Sequence, residues 1–248
     1  RVELTDSEHA VESLRALKEP GEVAAVARAC AISVAALGTL LAGPVTGRTE
    51  REIARDLEAT MLRRGADGLA VDTIVAGGPN GAVPHHRPTD RPVRRGELLT
   101  IDFGATIAGY HADCTRTVLV GSSGDGWQHE IYEVVRDAQA RGVAALAPDR
   151  PVAEVDAVAR DVVADAGYGA FFVHGLGHGV GLQIHEPPWL TSSGDPAATL
   201  PQRTTVTVEP GIYVPGTGGV RIEDTTSVGP DGVEVLTDYP TGLLTADN

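Results

Sequence analysis

Apolar residues fall at helical spacing through the first third of the chain. Leu14, Leu17, Val23, Val26 and Ala27 share such a stripe, and Pro20 opens an alanine-rich run that reaches Leu41. Gly43-Pro44 stops that run. Thr49 with Glu52 forms a capping box for a second helix to about Arg64, which Gly65 closes. The period then changes. Leu69 to Val75 is short, apolar and β-like, and Gly77 to Pro92 is rich in turn residues. Leu98 to Phe103 and His111 to Val120 read as paired strands. A third helix is predicted over Trp127 to Ala147 and a fourth, after Pro151, over Val152 to Ala166. The last third is β-rich and glycine-rich, with strands at Thr204 to Val208, Val220 to Val228 and Val233 to Leu236. Helices followed by strands thus occur once in residues 11–120 and again in 127–236. That order predicts an α+β fold with an internal pseudo-twofold repeat rather than a parallel βαβ arrangement.

Composition narrows the partners. With 248 residues, 42% of them apolar, the chain can bury a substantial core. Twenty Lys and Arg against 34 Asp and Glu give a net charge of −14, which repels phosphate backbones and argues against nucleic acid. No apolar stretch is expected to reach the roughly 18 to 20 residues of a membrane span, and no signal peptide is visible. Two cysteines, Cys30 and Cys114, are too few for a disulfide framework and predict a cytoplasmic location. The chain starts at Arg1 and its one methionine is Met61, so the natural N-terminus is expected to lie outside this sequence. No linker or solenoid-period repeat divides it.

The acids stand in unusual places. Asp102 sits among apolar residues in Leu98-Leu-Thr-Ile-Asp-Phe, a poor strand position for an aspartate. A hairpin centred between Ile107 and Ala108 would set Asp102 opposite Asp113. Glu209 and Glu223 are likewise symmetric about Gly216, in a Pro-Gly turn. Two like charges about 4 Å apart cost on the order of 4 kcal/mol at an effective dielectric near 20, so something positive is expected between each pair. One buried acid is usually a satisfied polar group. Two mirrored pairs favour a site.

Histidines supply the third element. His174, His178 and His185 fall within twelve residues, in His-Gly-Leu-Gly-His-Gly-Val-Gly-Leu-Gln-Ile-His-Glu. Four glycines argue against a helix there; in an extended chain His174 and His178 share a face, and a bulge is needed to bring His185 round. Of His85 and His86, at most one is expected to face a site. A P-loop, a dinucleotide fingerprint, H-E-x-x-H and G-x-S-x-G are all missing from the sequence. Cys114 takes the strand face opposite Asp113 and reads as core.

The motifs I-D-F-G, A-D-C-T-R-T, H-G-L-G-H-G-V-G-L-x-x-H-E, V-E-P-G-I-Y and G-G-V-R-I-E-D-T closely resemble those of the pita-bread metallopeptidases, from about Leu14 to Leu236. That family includes methionine aminopeptidase, Xaa-Pro aminopeptidase and prolidase. The resemblance implies the pita-bread fold and two divalent metal ions. Asp102 would bind one, His178 and Glu209 the other, and Asp113 and Glu223 both. The donor set suits Mn²⁺, with Co²⁺ or Zn²⁺ as alternatives. The metals would acidify a water for attack on the scissile carbonyl, with Glu209 as general acid and base. His85 and His185 resemble histidines that stabilise the reacting centre or hold the peptide, and Arg221, two residues before Glu223 on the same strand face, is expected to orient a bridging carboxylate.

His174 and Arg221 together resemble the Xaa-Pro-cleaving branch, which implies a small peptide with proline in second place as substrate, and a homodimer. Those enzymes carry an N-terminal domain. Here the expectation is a remnant over 1–13 and one catalytic domain over 14–248. The leading expectation is an Xaa-Pro aminopeptidase, with Xaa-Pro dipeptidase as the alternative. Behind these stand a methionine aminopeptidase, a same-fold enzyme diverted to another amide, and a non-catalytic peptide-binding module, which the full ligand set disfavours.

Overall fold

The structure, a computed structural model, describes residues 10–247. Most of the expected remnant therefore lies outside the described residues. Helix α1 (Ala10–Ala16) precedes α2 (Pro20–Leu41), whose first turn holds Pro20 and a capping box between Glu19 and Glu22. The predicted box opens α3 (Glu50–Arg63), where Thr49 Oγ1 accepts from the Glu52 amide at 3.2 Å. By length and composition alone α2 is long and apolar enough to cross a membrane, contrary to the sequence expectation. Its 22 residues include Val26, Cys30 and Leu37, all fully buried in protein.

The first-half strands are β1 (Gly68–Leu69), β2 (Ile74–Gly77), β3 (Leu98–Phe103), β4 (Ala105–Ile107), β5 (Tyr110–His111) and β6 (Cys114–Val120). The run 69–75 is not one strand, because β1 pairs with β4 whereas β2 pairs with β3. The hairpin is centred one residue later than its spacing suggested. Ala108 and Gly109, both at positive φ, form its two-residue turn, so Asp102 pairs with Thr115 rather than Asp113.

Two helices open the second half, α4 (Gly126–Ala145) and α5 (Val152–Asp165). Strands β7 (Gly177–Gly179), β8 (Glu186–Leu190), β9 (Thr204–Val208), β10 (Gly211–Val214), β11 (Gly218–Arg221), β12 (Asp224–Gly229) and β13 (Gly232–Val235) follow, and β14 (Thr245–Ala246) returns to the first half. The order β14-β6-β3-β2 makes one main sheet and β13-β12-β9-β7-β8 the other. The span 220–228 is split because β11 pairs with β10 while β12 pairs with β9.

Each half has its own core. Ile53, Leu57 and Met61 of α3 pack with Leu99, Ile101 and Phe103, whereas Ile131, Val135 and Val155 of α4 and α5 pack with Val206 and Val208. The expected repeat of helices over sheet is therefore present. The seam is a bridge between Thr115 and Glu223, reinforced by Thr117, whose hydroxyl lies 3.0 Å from the Arg221 carbonyl.

Arg116 locks that seam from behind. Its guanidinium is 1% exposed and donates to the Thr115 and Glu223 carbonyls at 2.9 and 2.6 Å, to Asp224 at 2.7 Å and to the Tyr239 carbonyl at 2.8 Å. Arg116→Ala strands the Asp224 charge and is expected to cost about 3 to 5 kcal/mol in urea unfolding.

Candidate metal centre

A cavity of about 340 Å³ opens at the seam, and all nine residues singled out from the sequence line it. Asp102 comes from β3, Asp113 from the residues before β6, Glu209 directly follows β9, and Glu223 lies between β11 and β12. The second hairpin keeps its expected register, with Gly211 opposite Arg221 about Gly216. The first pair of acids does not face directly. Yet oxygens of Asp102, Asp113 and Glu223 lie within 4.8 Å of one another. Ligand atoms of His178, Glu209 and Glu223 do the same, so Glu223 belongs to both groups.

His178 stands on β7. Gly177 is needed there because a Cβ would run into the Thr207 carbonyl of β9. The His178 Nδ1 meets the Gly179 carbonyl at 3.0 Å, which only accepts, so this nitrogen carries a proton and Nε2 faces the acids. Nε2 lies 3.2 Å from Glu209 and 3.7 Å from Asp113. A strand irregularity does fall between His178 and Gly179, and the turn after it returns the His185 ring edge-on to His178 at 4.4 Å. Asp113, His178 and His185 consequently form a third close group, which the sequence did not suggest.

Charge explains the titration pattern. Burial, then the neighbouring carboxylates, pushes Asp113 and Glu223 well above the ordinary range, and burial also raises Asp102 despite Arg221. Burial opposes ionisation of Glu209 and His178, but their hydrogen bond and mutual attraction prevail, holding Glu209 down at about 2 and His178 up at about 9. Asp102 Oδ1 is buried without a hydrogen-bond partner among the described residues. An orphan acceptor amid crowded acids is what divalent cations would satisfy, so the donors fit two such ions.

Arg221 does not touch a carboxylate expected to bridge. Its Nη2 donates to Asp102 at 2.6 Å, and its Nε to Thr115 Oγ1 at 3.0 Å, which in turn donates to Glu223 at 2.6 Å. Its Nη1 reaches the Tyr213 hydroxyl at 2.9 Å. Tyr213 meets His174 Nε2 at 2.8 Å, while His174 Nδ1 meets the Gly175 carbonyl at 2.8 Å. The chain thus runs from Arg221 through Tyr213 to a neutral His174, whose protonation burial disfavours. Both His174 nitrogens are used within the protein. Sequence reasoning assigned no role to Thr115 or Tyr213, although the Gly216-centred register already puts Tyr213 diagonal to Arg221 on one face.

Of the adjacent histidines, His85 lines the cavity and His86 turns to Glu50 at 2.9 Å. Glu50, fully buried at the start of α3, also accepts from the Gly77 amide, Asn80, and the Thr89 amide and hydroxyl. It thereby fixes the loop that carries His85.

Residues 24–230 match the sequence model of metallopeptidase family M24. The chain belongs to that family. Its fold is accordingly the pita-bread arrangement that the motifs implied. An Xaa-Pro dipeptidase of Pyrococcus furiosus is 41% identical over 234 residues, covering 94% of this chain and 66% of that protein. The prolidase structure from Pyrococcus furiosus superposes with a TM-score of 0.91 at 40% identity, covering 94% of this chain and 68% of that one. An X-Pro aminopeptidase from Thermotoga maritima gives a TM-score of 0.91 at 39% identity, covering 95% and 66%. The chain spans about two thirds of the length of these M24 relatives.

Two expectations follow. Protons on Asp113 and Glu223 compete with cations, so the rise in melting temperature on adding Mn²⁺ to chelator-treated protein should be larger at about pH 8 than at about pH 5.5 in a thermal-shift series. Glu50 behaves oppositely. Burial raises its pKa, but the Gly77 amide and the His86, Asn80 and Thr89 side chains together hold it below 4.5. A depressed carboxylate stabilises the fold above its unfolded pKa, and that contribution disappears as pH falls through the folded value. The stability gap between the protein and Glu50→Gln should be full at about pH 7 and shrink below about pH 4.5 in urea titrations.

Proposed function

We propose that residues 14–248 form the catalytic domain of a metal-dependent exopeptidase that hydrolyses the bond between an N-terminal residue and proline, with the Xaa-Pro dipeptide as preferred substrate. The observation carrying this reading is the paired groups of close ligand atoms that share Glu223, one of which includes a Glu209 held ionised by His178. The dipeptide takes precedence over the aminopeptidase reading favoured from sequence because the Pyrococcus furiosus relative at 41% identity bears a dipeptidase name. The Thermotoga maritima structure keeps the longer substrate as the second reading.

In this proposal Asp102, Asp113, His178, Glu209 and Glu223 hold two divalent cations. Mn²⁺ suits the oxygen-rich donors, and such ions supply Lewis acidity when bound. Glu209 accepts the proton of the attacking water and returns it to the prolyl nitrogen as the bond breaks. His85 and His185 face the cavity, and neither ring makes a hydrogen bond among the described residues, leaving both for the substrate carbonyl as negative charge develops. Arg221 fixes Asp102 directly and Glu223 through Thr115. Val71, Ile74, Pro84 and Trp189 give the cavity an apolar wall suited to a pyrrolidine ring. The buried, unpaired Cys30 and Cys114 support a cytoplasmic setting, which with a homodimer belongs to the same proposal.

Mass spectrometry of Mn²⁺-loaded protein with Ala-Pro, Ala-Pro-Ala and Met-Ala-Ser tests the reading. Ala-Pro should be cleaved, and Glu209→Gln should lower that rate by about 10² to 10⁴-fold. Cleavage of Ala-Pro-Ala alone would restore the aminopeptidase reading, and of the Met peptide alone would move the chain to that branch. Two bound cations with no cleavage would overturn the peptidase proposal.

A further inference from the structure

The turn that delivers His185 is tied to the N-terminal segment through one carboxylate. Glu186, 3% exposed at the start of β8, accepts from Lys18 Nζ at 2.7 Å through Oε1. Its Oε2 accepts from Arg15 Nη2 at 2.6 Å and from the Gln183 amide at 3.2 Å. Lys18 is 2% exposed, and its own amide donates to the Arg203 carbonyl at 2.6 Å. The turn wraps tightly on this ion pair: a Cβ on Gly181 would sit 2.5 Å from Glu186 Oε1 and 2.9 Å from Lys18 Cε. Gly181 in turn donates to the Gln183 carbonyl, and its own carbonyl accepts from the His111 amide at 2.9 Å. The His185 ring has no hydrogen bond of its own to hold it among the described residues, so its place over His178 depends on this backbone.

We infer that Glu186, gripped by Lys18 and Arg15, is a positioning residue that sets His185 against the bound peptide. What His185 does there rests on the peptidase reading; where it sits does not. A buried ion pair is a poor device for stability alone, since an apolar pair of similar volume usually packs as well. Its value here is geometric. A reacting group displaced by about 1 Å can lose on the order of 100-fold in rate.

The test separates positioning from folding. Glu186→Gln alone leaves Lys18 charged and buried, so the double variant Lys18→Met with Glu186→Gln is made beside it to remove both charges. The double variant should keep wild-type melting temperature and Mn²⁺ stoichiometry. Its Gly181 and Gln183 amides should exchange with deuterium about tenfold faster or more, and kcat/KM for Ala-Pro should fall about 10 to 100-fold. In a His185→Ala background the Glu186→Gln change should cost almost nothing further, as expected when one residue acts through the other. Recovery of wild-type kcat/KM by the double variant, or a full Glu186→Gln loss in the His185→Ala background, would overturn the inference. If the wild-type chain cleaves no peptide, the peptidase reading fails by itself. Amide exchange then decides the clamp: faster exchange upholds it and unchanged exchange overturns it.

Discussion

Four carboxylates crowd one cavity, and their mutual repulsion is the constraint that organises the molecule. Left uncompensated, each buried charge costs several kcal/mol. The fold answers with three different devices. Arg221 pairs with Asp102, His178 shares its proton with Glu209, and Asp113 and Glu223 are driven toward the neutral acid. The protons on these groups mark the charge that divalent cations would bring. The register of β3 on β6, the Gly216 hairpin and the glycines around His178 all serve to bring acids together that would otherwise avoid one another.

The two halves reach this end by parallel means. In each, a pair of helices covers a sheet, and the sheet ends deliver ligands to the seam. Each half also buries a glutamate beside a cavity histidine. Glu50 ties down the loop of His85 through His86 and Thr89, and Glu186 ties down the turn of His185 through Lys18 and Arg15. His85 and His185 therefore stand on loops whose rigidity comes from carboxylates outside the cavity. A loop can present a ring with strand-like precision when a buried charge anchors its neighbour.

Asp102, Asp113, Glu209 and Glu223 were legible in sequence because acids rarely sit in apolar strands, and because a hairpin's midpoint can be computed. The Pro215-Gly216 turn made the second register unambiguous. The first slipped by one residue because Ala108 adopts a positive φ of 51°, a conformation its side chain does not advertise. Thr115, Glu50 and Glu186 were silent for another reason. Each is an ordinary residue in an ordinary place, and its meaning lies in partners far along the chain, 108 residues away for Thr115 with Glu223 and 168 for Lys18 with Glu186. Substrate length was hidden as well, since both the dipeptidase and aminopeptidase relatives share this fold at similar identity.

The seam carries a further consequence. Asp102 and Asp113 belong to the first half, whereas His178, Glu209 and Glu223 belong to the second, and each half has a hydrophobic core of its own. Cations held across such a seam would act as a cross-link between the two halves. By linkage, whatever energy metal gains from the closed arrangement is returned as cohesion between the halves. A metal centre held there would be a fastener between the halves, and its occupancy would report how firmly one half is seated on the other.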